Sequence, residues 1–301
     1  MSEGTTNFFN YARERYDIFL RRGQGANRPW TDDPILQEYR FCNVFREDDI
    51  VTQWIAEYVR EPLRDDERVV LAMVVARWFN RVTTLEKIHG QLIMHDVPST
   101  TNLFLDWNPA YARKRLKDHA PLVTGAYMVK TPAGMNKLEG LLECIGLVAA
   151  AIDRGELSHA IESGVFTTLR EATSWLAQFP YLGPFMAYEV VTDLRHTSIL
   201  ENATDIMTWA NPGPGAARGA GRVLGHGPDH FDRNRAVDHD LIQVVMQRLL
   251  ENSNKTRHWL QFWPSWEMRD VEHTLCEFDK YERARLNEGT PKQRYNGGGD
   301  V

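Results

Sequence analysis

The stretch FPYLGPFMAYEVVTDLRH, residues 179–196, decides the fold class. It follows the apolar segment FTTLREATSWLAQF, which has helical periodicity and ends at a proline. Gly183 lies in the intervening turn, where a positive φ costs little, and Pro184 suits the first position of a second helix. The sequence therefore predicts a short helix–hairpin–helix. The backbone N–H groups at the start of its second helix favour a phosphate.

Helical periodicity also dominates the rest of the chain, and convincing β alternation is limited to GAYMVKT, 125–131. The fold is predicted to be mainly α, a helical bundle in two packed lobes that forms one domain over 1–286. A polar, glycine-rich tail, 287–301, is expected to be disordered. The predicted helices cover 7–22, 46–60, 67–82, 84–94, 108–119, 134–153, 166–178, 184–196, 236–252 and 266–286.

The composition excludes several classes of protein. No apolar run approaches the roughly 20 residues that span a bilayer, and the N-terminus lacks the pattern of a secretion signal. Three widely spaced cysteines support neither a disulfide framework nor a cysteine-rich metal site, and no metal is assigned. We therefore expect a cytoplasmic protein. The net charge of −6 still permits DNA binding, which needs only a local basic face.

An acidic residue, Asp205, follows the glycine of the predicted hairpin, Gly183, by 22 residues. This combination resembles the helix–hairpin–helix DNA glycosylase superfamily, in which the hairpin grips the DNA backbone and a catalytic Asp follows. Phe185 stands where lyase-type members carry a catalytic Lys, and the iron–sulfur cysteines are absent. A base-excising lyase is therefore disfavoured. The alternative is a Gly-Pro corner between core helices, with Asp205 capping a helix that begins DIMTWA.

Three further stretches narrow the resemblance: YRFCNVFREDDIVTQWI (39–55), NPGPGAARG (211–219) and MRDVEHTLCEFDKY (268–281). Together they look like the α-glutamyl/putrescinyl-thymine pyrophosphorylases, also described as amino acid:DNA transferases, of viruses with hypermodified DNA. A helical domain associated with 5-hydroxymethyluracil DNA kinases shares related motifs. The resemblance extends in order from about Tyr39 to Tyr281.

The resemblance implies a transferase that acts in the host cytoplasm on double-stranded DNA with a modified thymine. An amine from an amino acid or polyamine would replace the (pyro)phosphate on the 5-methylene of a (pyro)phosphomethyluracil, after the base leaves the stack. No cofactor is required, although a structural monovalent cation could sit at Gly183. A 5-hydroxymethyluracil DNA kinase is a possible partner. The amine, and phosphate against pyrophosphate as leaving group, stay open.

This chemistry needs a base for the amine and positive groups for the leaving group. Asp205 is the first candidate for the base, by its glycosylase position. One polar helix face is predicted from side chains that recur at three-residue steps, namely Arg40, Asn43, Arg46, Asp49 and Thr52. These side chains either form an internal network or line a pocket, and we favour the pocket. Asn43 would read a base edge, and Arg46 would meet phosphate.

The glycine-rich stretch and the last predicted helix supply the remaining candidates. The glycine-rich stretch is predicted to be a loop that leads into a helix and binds phosphate. The alternative is a rigid corner with solvated arginines. The binding residues of the predicted loop, with the hairpin glycine, are Gly183, Asn211, Gly213, Gly215, Arg218 and Arg222. The last helix would orient the site or hold the amine substrate through Glu272, His273, Glu277 and Lys280.

Two alternatives remain beside the transferase. One is a monofunctional nucleobase glycosylase that uses Asp205. The other is a non-catalytic DNA-binding module that positions a 5-hydroxymethyluracil DNA kinase. Release of (pyro)phosphate from phosphomethylated DNA would support the transferase, an abasic site would support the glycosylase, and binding without product would support the module.

Overall fold

The computed structural model describes residues 2–89, 107–125 and 129–295 of the chain. These residues are mainly helical, which confirms the predicted fold class. The α-helices are α1 Glu3–Gly23, α2 Pro34–Glu38, α3 Ile50–Ile55, α4 Val69–Phe79, α5 Val82–His89, α6 Pro109–Leu116, α7 Lys137–Asp153, α8 Glu156–Glu162, α9 Leu169–Ala177, α10 Gly183–Leu194, α11 Pro214–Leu224, α12 Ala236–Ser253 and α13 Met268–Arg285.

Several predicted elements need correction. The helix expected over 46–60 is a 3₁₀ turn at Arg46–Asp48, then α3, then a π-helical turn at Ala56–Arg60. Residues 205–210 form turns and no helix, and the short helices α2 and α8 were not predicted. Residues 90–94 of a predicted helix and 126–128 of the strand candidate lie outside the described residues. The described neighbours of 126–128 form no strand.

The chain divides into two compact units. Unit 1 comprises Met1–Asp49 and Met207–Val301, and unit 2 comprises Ile50–Ile206. Each unit has its own helical core. Unit 1 contains α1, α2, α11, α12 and α13, and unit 2 contains α3 to α10.

The glycine-rich stretch is a helix, α11, packed tightly within unit 1. A Cβ atom at Gly219 would fall far inside van der Waals distance of the Leu275 carbonyl oxygen on α13, and one at Gly215 would collide with Cys276 Sγ. A Cβ atom at Gly4, on α1, would likewise collide with the Val223 carbonyl oxygen of α11. These glycines therefore let three helices approach backbone to backbone.

The C-terminal segment that was expected to be disordered is paired with the start of unit 1. The Arg40 N–H donates to the Gln293 carbonyl at 3.0 Å, the Tyr295 N–H donates to Glu38 at 3.0 Å, and Tyr39 and Arg294 form an isolated antiparallel bridge. The expectation of disorder is therefore wrong for 287–295, and 296–301 lie outside the described residues.

The core of unit 2 holds a buried ion pair between α4 and α10. Arg77 Nη2 donates to Asp193 Oδ1 at 2.7 Å and to Thr52 Oγ1 at 3.1 Å, and Arg60 Nη1 lies 3.6 Å from the same carboxylate. Removing one partner of such a pair leaves an uncompensated buried charge. The network therefore fixes how α3, α4 and α10 pack.

A tight turn joins α9 to α10 in unit 2, at the position where the hairpin is predicted, and the helix–hairpin–helix assignment itself stays a prediction. Gly183 has φ +62° and Pro184 lies in the first turn of α10, which confirms both local predictions. Tyr181 also has a positive φ, of +69°, in the same turn. A bulky residue in the left-handed region is a genuine outlier, so the turn is backed by strong packing around it.

Gly219→Ala tests the close approach of α11 and α13. The added methyl group meets α13 backbone, so we expect the free energy of unfolding to fall by about 1–3 kcal/mol, as in overpacked cores. Gly146→Ala on α7 is the matched control, because nothing lies within 4 Å of the added Cβ atom. That control should gain about 0.5–1 kcal/mol from helix propensity. Equal effects of the two substitutions in urea denaturation would contradict the packing assignment.

Candidate functional site

The three stretches that carry the family resemblance converge around α13 within unit 1. The Cys42 N–H, from the 39–55 stretch, donates to Glu277 Oε2 at 2.9 Å. The Gly213 N–H, from the 211–219 stretch, donates to Glu272 Oε1 at 3.1 Å. Two carboxylates of α13, five residues apart, therefore hold the backbone of both other stretches.

Glu277 lies at the centre of this cluster. Its side chain is buried, and Oε2 also accepts from Lys280 Nζ at 2.6 Å. Burial acts to raise the pKa of Glu277. The charges of Lys280 and His273 and the hydrogen bonds to the carboxylate outweigh it, so its pKa lies below the usual value. The ammonium of Lys280 also lies 5.3 Å from the centre of the Phe41 ring, a cation–π distance. Glu277 and Lys280 therefore form a buried, charged pair near neutral pH.

Asn43 belongs to the cluster, but not as part of a helix face. Residues 40–45 are non-helical, so the predicted polar helix face of Arg40, Asn43, Arg46 and Asp49 is wrong. The physical reason is that backbone donors of this segment bind tertiary partners, such as Gln293 and Glu277, rather than carbonyls four residues back.

Arg15 of α1 fixes this extended segment, and sequence reasoning missed it. Its buried guanidinium donates from Nη2 to the Phe41 carbonyl at 3.1 Å and to Asn43 Oδ1 at 2.6 Å. The Asn43 amide in turn donates to the Asp48 carbonyl at 2.8 Å. Nothing in the local sequence pattern around Arg15 marks this arginine as buried.

Two carboxyl groups near this segment have a strongly raised pKa. Burial raises the pKa of Asp48 to about 6; the charge of Glu47 adds to the effect and Arg15 opposes it. Burial likewise raises the pKa of Asp270 to about 7, opposed by a hydrogen bond from the Glu267 backbone and increased by Glu267 and Glu47. Asp48 Oδ2 is buried and has no hydrogen-bond partner among the described residues. Carboxyls that titrate near neutral pH are typical of sites for general acid–base chemistry.

The other predicted pocket residues differ in their exposure to solvent. Arg40 and Asp49 are exposed, and the Arg40 guanidinium lies 5.9 Å from the centre of the Tyr295 ring. Arg46 and His273 are partly buried. Glu272 is buried, and its Oε2 accepts from Arg269 Nη1 at 3.0 Å. The predicted pocket residues of α13 are therefore already engaged with protein groups.

Arg218 and Arg222 share one helix face, as predicted, and meet a buried carboxylate. Asp279 accepts from Arg218 Nε at 2.8 Å and from Arg222 Nε at 2.9 Å. The Arg222 side chain is 5% exposed, whereas that of Arg218 is 36% exposed. Helix packing and ion pairing therefore explain most of the glycine-rich stretch. Binding of phosphate by Asn211, Gly213, Gly215 and these arginines stays a prediction.

Asp205 and Gly183 lie in unit 2, away in sequence from the stretches around α13. Asp205 Oδ1 accepts from the Leu169 N–H at 2.7 Å, and Oδ2 accepts from the Arg170 N–H at 3.0 Å. Both donors belong to the first turn of α9, where backbone N–H groups have no acceptor within the helix. The side chain of Thr168 provides the N-cap of the same helix. Asp205 therefore caps α9 rather than a helix of its own. Its catalytic role stays a prediction.

An open cleft lies beside the cluster in unit 1. It has a volume of about 460 Å³ and is lined by α1, the start of α2 and the end of α13, including Glu14, Asp32, Tyr281 and Arg285. Tyr11 contributes to its wall and is 4% exposed. The pKa of Tyr11 lies well above its usual value, because burial and the charge of Glu277 both disfavour the phenolate. Tyr11 therefore joins the cleft to the Glu277 cluster.

No group of three or more His, Cys, Asp or Glu side chains placed to hold a metal ion occurs in residues 2–89, 107–125 and 129–295. Within the same ranges, no helix combines the length and the hydropathy that a bilayer crossing requires.

Asp205→Ala should destabilise the protein by removing the acceptor of two helix N-terminal N–H groups. We expect the free energy of unfolding to fall by about 1 kcal/mol, as for other lost caps. Asp229→Ala, at an exposed position in unit 1, is the control and should leave it unchanged. Identical unfolding curves for both variants in urea would exclude the capping role.

Comparison with known proteins gives the chain a family. It matches the family described as "5-hmdU DNA kinase, helical domain" over residues 2–290. The "5-hmdU DNA kinase" of Bacillus phage SP10 is 29% identical over 292 residues, which cover 89% of this chain and 43% of that protein. The chain thus spans less than half the length of this curated relative. No solved structure matches it.

The match confirms the resemblance to the kinase-associated helical domain, whereas the resemblance to the pyrophosphorylases stays a prediction. Because the match extends over nearly all of its residues, the chain belongs to the 5-hmdU DNA kinase helical-domain family.

Proposed function

We propose that this protein acts in thymine hypermodification of DNA as an amine transferase. The amine nitrogen would form a bond to the 5-methylene carbon of a (pyro)phosphomethyluracil. The bond from that carbon to the phosphate oxygen would break, and (pyro)phosphate would leave with the electron pair. The attacking amine would lose one proton to a base. The observation that carries the proposal is the convergence of the three resemblance stretches around Glu272 and Glu277.

The surroundings of Glu277 suit an amine substrate. The cleft that Tyr11 lines has room for an amino acid or a short polyamine, within the usual size of small-molecule sites. Carboxylates outnumber guanidinium groups in its wall by four to two, so the net charge favours a cation. The carboxylates are Glu14, Asp32, Asp33 and Glu282, and the guanidinium groups are those of Arg21 and Arg285. The aromatic side chain of Tyr281 offers a surface for the aliphatic part of such a molecule.

We assign to Asp48 the role of accepting the proton of the amine. Its Oδ2 makes no hydrogen bond within the described part of the chain, whereas both oxygens of Asp205 accept backbone N–H groups. Its pKa of about 6 leaves it ionised, and still basic, near neutral pH. Arg15 and Asn43 hold the segment that carries it. We therefore assign the role of base to Asp48 rather than Asp205.

Positive groups would be needed where the leaving (pyro)phosphate gains charge. Arg218 is the better exposed of the two arginines on α11, and its pairing with Asp279 fixes its direction. Arg218 would therefore stabilise the leaving group. The buried Arg222 would keep Asp279 neutralised when Arg218 contacts the phosphate.

The proposal is tested with DNA that contains 5-hydroxymethyluracil and has been phosphorylated by a matching kinase. The DNA is incubated with the protein and a mixture of amino acids and amines, and the digested nucleosides are analysed by mass spectrometry. We expect a new nucleoside heavier by one amine with (pyro)phosphate lost. Asp48→Asn should lower its rate of formation by about 100-fold or more, and Asp229→Asn should not.

Two results of this assay would contradict the proposal. Unchanged phosphorylated nucleosides with every amine tried would exclude the transferase. A rate that falls with Asp205→Asn but not with Asp48→Asn would return the role of base to Asp205.

Asp48 should also reduce stability at neutral pH. The folded state binds its proton more tightly than the unfolded state, whose pKa is near 3.8, so stability falls as the pH rises between about 4 and 6. We therefore expect Asp48→Asn to raise the melting temperature at pH 7.5 and to leave it unchanged at pH 3.5. Differential scanning calorimetry at both pH values measures this. A lower melting temperature at pH 7.5 would show that the carboxylate is a stabilising group.

A second candidate function is a DNA-binding module that serves a 5-hydroxymethyluracil kinase. The observation that favours it is the relative from Bacillus phage SP10, which carries a matching region within a kinase more than twice its length. In the assay above, this function predicts DNA binding without a new nucleoside. It also predicts that adding the protein speeds phosphorylation of 5-hydroxymethyluracil DNA by a separate kinase.

A further inference from the structure

The hairpin of unit 2 exposes two aromatic side chains in the turn between α9 and α10. Tyr181 is 44% exposed and Phe185 is 50% exposed, although large aromatic side chains elsewhere in the unit, such as Trp78 and Tyr188, are fully buried. The two residues are separated only by Leu182, Gly183 and Pro184. Leu182 is 2% exposed and anchors the turn to the core. The turn therefore has an apolar inner side and an aromatic outer side.

The backbone of this turn is strained at one of the exposed aromatic residues. Tyr181 has φ +69°, in the left-handed region that a bulky side chain avoids, and Gly183 follows with φ +62°. Such a conformation is costly for a bulky side chain, and an asparagine or glycine would relieve it. A tyrosine held outward at this cost suggests that its ring is used there.

The turn carries no acidic side chain that would repel a polyanion. No charged residue occurs between Glu171 and Glu189 in the sequence, and Glu189 is buried. Helix α10 begins directly at the turn without a side-chain cap, so its N-terminal N–H groups and the positive end of its dipole face the same region. A phosphate backbone would be attracted here, and nothing in the turn repels it.

From these observations we propose that Tyr181 and Phe185 form a wedge that stacks on, and partly separates, the base pairs of duplex DNA. The inference rests on the proposed function in one respect, namely that DNA is the substrate. Aromatic and apolar side chains unstack base steps in this way in several DNA-binding proteins, and any base offers a stacking face. Unstacking of this kind precedes chemistry on a base in enzymes that extract the base from a duplex.

The wedge is distinct from a phosphate grip and makes a different prediction about salt. Phosphate contacts release counterions, so they steepen the fall of affinity with salt concentration. Stacking contributes affinity without that release. Loss of the aromatic rings should therefore weaken binding at every salt concentration by the same factor.

The test uses a duplex that contains 5-hydroxymethyluracil next to 2-aminopurine, a base whose fluorescence rises when it unstacks. A fluorescein label on the same duplex reports binding by anisotropy. We expect the wild-type protein to bind and to raise the 2-aminopurine fluorescence. The variant Tyr181→Gly/Phe185→Ala should bind on the order of tenfold more weakly, with the same salt dependence, and give no rise when saturated. Glycine is chosen at 181 because it relieves the strained φ and so does not threaten folding.

Two matched variants complete the experiment. Phe262→Ala removes an aromatic side chain that is 81% exposed in unit 1, and it should behave as the wild type. Phe185→Trp keeps a stacking surface and should retain the fluorescence rise. Circular dichroism melting of each variant confirms that it is folded.

The possible failures are distinguishable. Absence of any binding to the duplex would overturn both the wedge and the DNA substrate of the proposed function. Binding and amine transfer by a wild-type protein that leaves 2-aminopurine stacked would overturn the wedge alone. Wedge variants that bind and unstack DNA like the wild type would also overturn it, and would assign the exposed rings to a protein contact.

Discussion

The close approach of α11 to α13 is the constraint on which the candidate site depends. Gly215 and Gly219 allow the α11 backbone to lie against Leu275 and Cys276, where any side chain would collide. At this distance Asp279 can accept hydrogen bonds from two arginines of α11. Glu272 can accept one from the N–H of Gly213, the residue just before α11. Glycines in a helix cost conformational entropy, and here that cost is offset by a packing geometry that larger residues exclude.

The same constraint links the acidic helix to the N-terminal part of unit 1. Once α13 is fixed, Glu277 can hold the Cys42 backbone, and Lys280 can lie over the Phe41 ring. Arg15 completes the arrangement from α1 by binding the Phe41 carbonyl and Asn43. Buried charges of this kind need partners on every side, which is why removing one of them is costly. The site is therefore assembled from residues far apart in sequence, and each contact depends on the packing of α11.

Asp48 and Asp270 differ from the other carboxyls around α13. Glu272, Glu277 and Asp279 are each paired with a basic side chain. Asp48 and Asp270 are buried close to other acids, which moves their pKa values toward neutrality. A carboxyl whose pKa is raised in the folded state reduces the stability of the protein near neutral pH. Such carboxyls are common at functional sites.

Much of the fold was predictable from sequence, because periodic apolar patterns and local turn chemistry decide it. The helices from α4 to α13 with strong periodicity and the φ of Gly183 followed from such local rules. The extended segment at 40–45 did not, because its N–H groups bind Gln293 and Glu277, residues more than 200 positions away.

The candidate site was predictable only in part. The resemblance identified the stretches that meet at α13, yet the role of Arg15 depends on tertiary contacts that no local pattern reveals. The capping of α9 by Asp205 likewise joins residues 36 positions apart. Close helix packing and close approach to a ligand require the same residue, so the glycines of α11 alone do not distinguish a packing role from a phosphate loop.

Hydrogen exchange measured by mass spectrometry tests the central claim, that the three stretches around α13 form one site. The protein is compared alone and with phosphomethylated DNA together with an amine that it transfers. The account predicts joint slowing of exchange in 39–49, 211–216 and 268–281, and the loss of this slowing in Gly219→Ala. Slowing in one of these stretches alone, or none in any of them while the DNA is bound, would contradict it.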